Sequence, residues 1–267
     1  MLTKVQSRDA AARIWDCWQN GAVLESLPTD VRPADRADGY AIQAHYEALS
    51  GRPIFGWKIA ATSKAGQQHI GVDGPLAGRL LAEHVFEDGA TLPFGYNRMA
   101  VVEPEFAFRL AADLPARDKE YAVEDVVAAV GALHSAIEIP DSRFEPFERA
   151  GAGQLIADNA CAHDFVIGPA MPDIWREMNL SLHTVDFSVE GKETAEGIGS
   201  NVLGDPRIAL AWIANELSRY GPGLKGGQVV TTGTCATPQP VEPGDRVTAD
   251  FGALGSVSLR FESAASA

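Results

Sequence analysis

The sequence has 267 residues, of which 46% are hydrophobic and 22% are charged, a composition typical of a soluble globular protein. Its formal net charge of -14 argues against nucleic acid or an anionic membrane as a partner, because both attract basic surfaces. No apolar run approaches the roughly 18 residues of a membrane span, and charges interrupt the N-terminal apolar runs, so we expect no membrane helix and no signal peptide. Three widely spaced cysteines without a CxxC pattern favour a reduced, cytoplasmic protein.

Helical spacing of apolar residues predicts two helices at the N-terminus. The first covers residues 7–20, and Gly21 is a suitable residue to end it. The second covers residues 37–51, with Ile42, Tyr46 and Leu49 on one face. We therefore predict a helical N-terminal segment over residues 1–52.

From residue 53 the pattern changes to short strand-like runs separated by Gly, Pro and Asp. Residues 123–143 begin with helical character and end in an apolar strand-like run. One further helix is predicted at residues 206–219, with Asp205 as its cap and an apolar face that includes Ile208, Ile213 and Leu217. The sequence thus predicts an α+β fold, with a strand-rich body over residues 53–267.

The strand-like run AVVEPEFAFRL, residues 100–110, contains two carboxylates in close succession. Side chains on a strand alternate between its faces, so Glu103 and Glu105 share one face, and Phe106 and Phe108 lie on the other. Two like charges on one strand face repel each other unless something neutralises them. A solvated face with nearby Lys or Arg would explain the pair taken alone.

A third carboxylate, Glu138, lies inside the apolar run AIEIP. Three carboxylates on neighbouring strands would form an oxygen donor set suited to Mg²⁺ or Mn²⁺. The six histidines form no HxH or HExxH pattern, so the spacing does not favour zinc. Glu103, Glu105 and Glu138 are therefore candidate metal ligands, and the alternative for Glu138 is an outward-facing side chain.

Three other stretches carry candidate site residues. In GWKIAATSK, Lys58 lies in a strand-like run and could bind a carboxylate or transfer a proton, or could simply lie at a strand edge. In LIADNACAH, Asp158 and Asn159 could form hydrogen bonds with substrate or water, or could be turn residues. In GGQVVTTGTCATP, backbone amides and hydroxyls such as that of Thr234 could form an anion-binding rim, or an ordinary loop.

These motifs, in this order along the chain, resemble the 2-keto-4-pentenoate hydratase family of the fumarylacetoacetate hydrolase superfamily. The motifs are GWKIAATSKAGQQHIGVDGPLAGRL, VEPEFAF, AIEIPDSR, LIADNA, LKGGQVVTTGT and VEPGDRVTADFGALGSVSLRF. The resemblance extends over nearly the whole chain and implies a rolled mixed β-sheet. It also implies that Glu103, Glu105 and Glu138 hold the metal, that Lys58 is the active-site lysine, and that Asp73 lies near the substrate.

The activity implied by the resemblance is metal-dependent addition of water to a 2-hydroxy-2,4-dienoate, giving a 4-hydroxy-2-keto acid in meta-cleavage catabolism of aromatic compounds. The resemblance also implies a small anionic substrate and a homo-oligomer. The chain departs from the family where Cys161, Ala162 and His163 follow ADNA, since Ser is common there, and at Cys235. These departures leave the predicted metal ligands intact. They bear on which substrate the chain would bind.

Three other functions stay open from the sequence. A decarboxylase of the 4-oxalocrotonate type would need a cation for a second carboxylate, for which Arg143 and Arg79 are candidates. An acylpyruvate hydrolase would need an activated water molecule, and His163 or His69 could help to activate it. A binding protein without activity is disfavoured, because all three glutamates and the lysine are present.

Overall fold

The computed structural model describes residues 1–263. The helices are α1 (Lys4–Asn20), α2 (Arg36–Gln43), α3 (Tyr46–Ser50), α4 (Lys64–His69), α5 (Val123–Ala128), α6 (Ala152–Ala157) and α7 (Pro206–Tyr220). The strands are β1 (Ile54–Ala60), β2 (Leu76–Leu81), β3 (Val85–Glu87), β4 (Ala90–Leu92), β5 (Val101–Leu110), β6 (Leu114–Pro115), β7 (Val130–Ile139), β8 (Asp164–Ala170), β9 (Thr184–Val189), β10 (Ala195–Ile198), β11 (Gly223–Leu224), β12 (Val229–Thr234), β13 (Gln239–Pro240), β14 (Arg246–Asp250) and β15 (Ser256–Phe261).

Two mixed sheets form the body. The main sheet has the strand order β2-β1-β12-β5-β7-β8-β3, with β13 paired to β5. Within it β1 pairs with β12 in parallel and β3 with β8 in parallel, and the other pairs are antiparallel. The second sheet has the order β10-β9-β14-β15-β4, and β11 pairs with β6. These sheets and their surrounding helices confirm the predicted α+β class.

The largest hydrophobic core joins the main sheet, the second sheet and α7. It contains Phe106 and Ile137 from the main sheet, Phe187 and Leu259 from the second sheet, and Leu210 from α7. The burial of Phe106 and Phe108 in this core confirms that this face of β5 is the apolar one. The opposite face of the main sheet is therefore available for the carboxylates.

The N-terminal helices build a second hydrophobic core against the body. Ile14 and Trp18 of α1 pack with Tyr46 of α3 and with Leu81 and Phe144 of the body. The first helix agrees with the prediction, since it ends at Gly21, whose φ of 64° is the left-handed conformation that glycine readily adopts. In the range 1–263, no helix is long and apolar enough to cross a membrane.

The second predicted helix, residues 37–51, is wrong as a continuous element because the structure has two short helices, α2 and α3. The backbone N–H of His45 bonds to the carbonyl of Ile42, a tighter turn that reorients the residues that follow. Leu49, predicted on the apolar face with Ile42 and Tyr46, is accordingly exposed.

The predicted helix at residues 206–219 is confirmed as α7. Asp205 accepts a hydrogen bond from the backbone of Arg207, and Pro206 occupies the first turn. The predicted apolar face is wrong at Ile208, which is 44% exposed. The buried stripe instead includes small residues such as Ala209 and Ala214, so it lies further round the helix.

Candidate active site

Four neighbouring strands of the main sheet bring Lys58 and the three predicted metal ligands together. Lys58 lies on β1, Glu103 and Glu105 on β5, and Glu138 on β7, while β12 lies between β1 and β5. Glu103 is directly opposite Glu138 in the register of β5 and β7, so both side chains are on the same sheet face. The structure therefore places all three glutamates in one cluster.

The three carboxylates offer ligand atoms that all lie within 4.8 Å of one another. Glu105 and Glu138 are buried, and Glu103 is partly exposed. Among residues 1–263, Oε1 of Glu105 and both oxygens of Glu138 have no hydrogen-bond donor. Buried oxygens without donors are costly, and their number and chemistry fit a hard divalent cation. The residues present therefore match the predicted metal site.

Lys58 is the cation that the chain itself supplies to this cluster. Its Nζ lies 2.7 Å from Oε1 of Glu138, an ion pair whose angles fall outside those of a hydrogen bond. Nζ also donates a hydrogen bond of 3.0 Å to the carbonyl of Ala160. Burial lowers the pKa of Lys58, but the charges of Glu138, Glu103 and Glu105 outweigh burial and raise it above its usual value. Lys58 is therefore an ammonium ion at neutral pH.

One ammonium ion cannot balance three carboxylates. Burial, together with the charge of Glu138, raises the pKa of Glu103 to about 7 and that of Glu105 well above its usual value. The cause is the same for both groups, since removal from water and the neighbouring negative charge each disfavour the ionised form. A divalent cation would supply the two positive charges that the cluster lacks.

Thr231 and Gly233 of β12 hold Glu105 in place. The hydroxyl of Thr231 and the backbone N–H of Gly233, the latter at 2.8 Å, both donate to Oε2 of Glu105. The TTG stretch predicted as an anion-binding rim thus binds a carboxylate of the protein itself. Gly233 has a φ of 92°, and a Cβ there would lie 2.2 Å from the hydroxyl of Thr62, so a larger residue would not fit.

The turn that accepts the hydrogen bond from Lys58 has an uncommon backbone. Asn159, Ala160 and Cys161 have φ values of 58°, 52° and 59°, three consecutive non-glycine residues in the left-handed region. Such residues cost of order 1–3 kcal/mol each and persist where the surroundings enforce them, often at functional sites. Here Asn159 forms two side-chain hydrogen bonds, with the backbone N–H and the carbonyl of Arg79. These bonds hold the turn against the edge strand β2.

Comparison with known proteins identifies the family of this chain. Residues 82–262 match the family model of the fumarylacetoacetate (FAA) hydrolase C-terminal domain. A 2-keto-4-pentenoate hydratase from Paraburkholderia xenovorans (strain LB400) is 31% identical over 265 residues, which cover 98% of this chain and 97% of that protein. The chain belongs to the 2-keto-4-pentenoate hydratase family.

Two further similar proteins differ in their named substrate or activity. A 2-oxo-hept-4-ene-1,7-dioate hydratase from Escherichia coli is 32% identical over 248 residues, which cover 89% of this chain and 91% of that protein. The structure of 4-oxalocrotonate decarboxylase from Pseudomonas putida G7, complexed with magnesium and adipate, superposes with a TM-score of 0.88 at 29% identity. That match covers 98% of this chain and 99% of the decarboxylase.

Asp73, predicted from the resemblance, and Thr234, predicted as part of an anion-binding rim, were also expected near the substrate. Asp73 is exposed, in the segment between α4 and β2, and its charge is one of those that raise the pKa of Arg36. The hydroxyl of Thr234 donates to the carbonyl of Ala236 and accepts from its backbone N–H. Among the described residues neither side chain forms a hydrogen bond with the three glutamates, although the pairing of β12 with β5 sets Thr234 opposite Glu105.

Asp158 and Asn159, the two predicted polar residues of the ADNA segment, are both fully buried. Asp158 forms an ion pair with Arg143 and accepts a hydrogen bond of 2.7 Å from Ser142. The two groups of the Asn159 amide are occupied by the backbone of β2. The structure therefore brings Lys58 and the three glutamates together, whereas Asn159 lies in the turn that contacts Lys58, Asp158 directly precedes it, and both bond to other parts of the protein.

The sequence interpretation did not identify Thr231, Gly233 and Ala160 individually. The signal for the first two was the run of small and hydroxylated residues at the end of β12. No sequence signal marked the carbonyl of Ala160, because its position depends on the left-handed turn.

Proposed function

We propose that this protein is a divalent-metal-dependent hydratase that adds water to 2-hydroxypenta-2,4-dienoate or a close relative, giving a 4-hydroxy-2-keto acid. The observation that carries the proposal is the cluster of Glu103, Glu105 and Glu138, with unpartnered buried oxygens beside Lys58. Relatives named as hydratases, at 31% and 32% identity over most of the chain, support the reaction class.

The three glutamates would hold Mg²⁺ or Mn²⁺, since both ions prefer oxygen ligands. When bound, such a cation supplies Lewis-acid stabilisation of negative charge on the oxygens of a 2-keto or 2-hydroxy acid. Glu105 is oriented for this role by Thr231 and Gly233. Hydrogen bonds to a ligand carboxylate fix its orientation and its affinity for the metal.

Lys58 would bind the substrate carboxylate or donate a proton to the dienoate. Its ammonium group is buried, and Glu138 and the carbonyl of Ala160 fix its position. Proton transfer by a positioned side chain contributes about 10²–10⁴-fold in rate. Asp73 is our second candidate for proton transfer, in an exposed segment from which it would have to approach the site.

Asp158, Asn159 and Thr234 are proposed to shape the substrate pocket through the backbone that they hold. Asp158 and Asn159 support the turn that contacts Lys58, and Thr234 closes its own turn on Ala236. The loss of Asp158 or Asn159 should displace the carbonyl of Ala160 and with it Lys58. Asp158, Asn159 and Thr234 are therefore proposed as site residues that act through the backbone.

The position of the two candidate arginines favours hydration over decarboxylation of a dicarboxylate. The guanidinium of Arg143 forms an ion pair with Asp158. Arg79 is paired with Trp57 across β1 and β2, on the sheet face opposite Lys58, with its guanidinium carbon 4.6 Å from the centre of the Trp57 ring. Arg79 thus faces away from Lys58 and Arg143 is occupied by Asp158, which supports a substrate with a single carboxylate.

An activity assay on a small panel of substrates tests the proposal. Metal-depleted protein should be inactive towards 2-hydroxypenta-2,4-dienoate, and Mg²⁺ or Mn²⁺ should restore consumption of the diene. Glu105→Gln should lower kcat/KM by more than the roughly 10–100-fold that loss of an outer hydrogen-bonding partner costs. Glu193→Gln, a change at an exposed glutamate, is the matched control and should leave activity unchanged.

The same panel contains the outcomes that contradict the proposal. Full activity of Glu105→Gln in metal-depleted buffer would remove the glutamate cluster from the mechanism. Release of CO₂ from 4-oxalocrotonate without hydration of the dienoate would instead identify a decarboxylase. Cleavage of an acylpyruvate would identify a C–C hydrolase.

A further inference from the structure

A second group of metal-ligating side chains lies outside the glutamate site. His84, His163 and Asp164 offer ligand atoms that all lie within 4.8 Å of one another. Asp164 is directly opposite Ile139 in the pairing of β7 and β8, whereas Glu138 is opposite Phe165. Because successive side chains on a strand point to opposite faces, Asp164 lies on the other face of the main sheet from Glu138. The two clusters are therefore separate sites.

The histidine cluster borders a cavity of about 260 Å³. The cavity wall includes the C-terminal end of α1, residues 93–96 and residues 141–143, together with His84, His163 and Asp164. Both histidines are partly exposed, and Asp164 is 8% exposed. An ion could thus enter from solvent, and water could complete its coordination beside three protein ligands.

The spacing of the donor atoms suits a single ion. Nδ1 of His84 lies 2.7 Å from one oxygen of Asp164, and Nε2 of His163 lies 3.8 Å from the other. Ligand atoms bound tetrahedrally to one ion at about 2.1 Å are about 3.4 Å apart. The two measured distances lie on either side of that value, so small side-chain movements would bring the three donors onto one ion.

Trp18 gives the cluster a distinctive feature. Its indole N–H, which can only donate, lies 3.0 Å from Nδ1 of His163. His163 must therefore accept at Nδ1 and carry its ring proton on Nε2, the nitrogen that faces Asp164. When Nε2 binds a metal, the neutral ring carries its proton on Nδ1 instead, and two N–H groups then face each other. Metal binding must therefore break the hydrogen bond between Trp18 and His163.

We propose that His84, His163 and Asp164 form a second metal site, specific for a transition-metal ion such as Zn²⁺, Co²⁺ or Ni²⁺. Two imidazole nitrogens and one carboxylate favour these ions, whereas Mg²⁺ prefers oxygen ligands. The chain would then bind two kinds of metal on the two faces of one sheet. The alternative is a hydrogen-bonded cluster that holds no ion, in which His84 donates to Asp164.

A titration of the full chain with Co²⁺, in saturating Mg²⁺, tests the proposal. Equilibrium dialysis should find one Co²⁺ per chain in addition to the ion at the glutamate site, and bound Co²⁺ should give the visible absorption of a nitrogen-containing ligand set. Asp164→Asn and the double change His84→Gln/His163→Gln should each remove that Co²⁺. His69→Gln, at an exposed histidine, and Glu105→Gln, in the other cluster, should leave it bound.

Trp18→Phe gives a result that a purely structural tryptophan would not. Because the variant lacks the opposing N–H, it should bind Co²⁺ about 2- to 10-fold more tightly, the value of one hydrogen bond. Trp15→Phe, on the same helix and in contact with Trp18, is the matched control and should leave the affinity unchanged. Circular dichroism checks that each variant is folded.

Three results would overturn the proposal. The first is that no Co²⁺ binds beyond the glutamate site. The second is that Co²⁺ persists in folded Asp164→Asn and in the double histidine variant. The third is that Glu105→Gln removes the Co²⁺, which would assign it to the glutamate cluster.

Discussion

Two of the groups of buried charges in this protein differ in how well their atoms are satisfied. Arg143 and Asp158 form an ion pair in which both side chains are almost fully buried. The guanidinium also donates to the carbonyls of Asp141 and Ala162. The carboxylate of Asp158 accepts further hydrogen bonds from Ser142 and from the backbone of Arg143.

The glutamate cluster has the opposite character. Glu105 and Glu138 are as deeply buried as Asp158, yet three of their four oxygens have no donor among residues 1–263. Within the described residues, Lys58 is the single cation that forms an ion pair with them. The complete satisfaction of the Arg143–Asp158 pair fits a structural role, and the unsatisfied oxygens support our proposal that the glutamates bind a cation from outside the chain.

Removing one partner of the structural pair should have the largest effect on stability. Arg143→Met leaves Asp158 buried without its cation, and the free energy of unfolding should fall by about 3–5 kcal/mol. Urea denaturation followed by circular dichroism measures this. Arg13→Met, which breaks an exposed pair with Asp9, is the control and should cost under about 0.5 kcal/mol. Equal losses in the two variants would contradict the structural role.

The glutamate cluster should respond in the opposite direction. In metal-depleted buffer, Glu105→Gln should raise the free energy of unfolding by about 1–3 kcal/mol, because it removes a negative charge and turns an orphaned oxygen into a donor. Saturating Mg²⁺ should reverse the order, since metal binding stabilises only the unchanged protein. Thermal melts with and without metal measure both. If Glu105→Gln were less stable than the unchanged protein in metal-depleted buffer, the glutamate cluster would not lack positive charge.

A smaller effect is expected from the residue that orients Glu105. Thr231→Val removes the hydroxyl donor and should weaken metal binding about 10- to 100-fold, with the fold intact. Isothermal titration with Mn²⁺ measures the affinity. Thr232→Val is the matched control, because its hydroxyl donates to the carbonyl of Phe106 and not to a glutamate. Similar affinities for the two variants would contradict the role of Thr231.

The smallest effect concerns pH and a histidine outside both clusters. Burial lowers the pKa of His134, and the guanidinium of Arg109 lowers it further, so the folded protein resists protonation there. The unfolded chain takes up the proton below about pH 6.5. Stability from this group is therefore complete above that pH and is lost as the pH falls towards the folded pKa.

Urea denaturation between pH 8 and pH 5 measures this contribution. The unchanged protein should lose more stability over that interval than His134→Gln, which has no titrating ring at this position. The difference should be smaller than the losses expected for Arg143→Met. Parallel pH profiles for the two proteins would contradict the assignment to His134.

Much of the glutamate site could be predicted from local patterns. The alternation of β5 places Glu103 and Glu105 on one face, and the same alternation keeps Phe106 and Phe108 in the core. The apolar run around Glu138 and the strand-like run around Lys58 marked these two residues, and the resemblance in motifs then implied their roles. The register that sets Glu138 opposite Glu103, however, depends on the packing of β5 against β7.

The surroundings of Asn159 and Asp158 could not be predicted in this way. Their residue types suit a turn, a hydrogen-bonding site and an ion pair equally. Whether Asn159 faces a substrate or the edge of β2 depends on the left-handed turn, which long-range hydrogen bonds to Arg79 enforce. The break between α2 and α3 could not be predicted from local patterns either. A single tight turn at His45 reorients the face that helical spacing indicates.

The sequence by itself determined the fold class, the family and the glutamate set, because strand alternation and motif order are local properties of the chain. Only the tertiary structure decided which buried charges are satisfied and which are not. It also decided that His84, far from His163 and Asp164 in the sequence, lies beside them. Contacts of that kind form when the hydrophobic core selects one register among many, and no local pattern of residues contains that information.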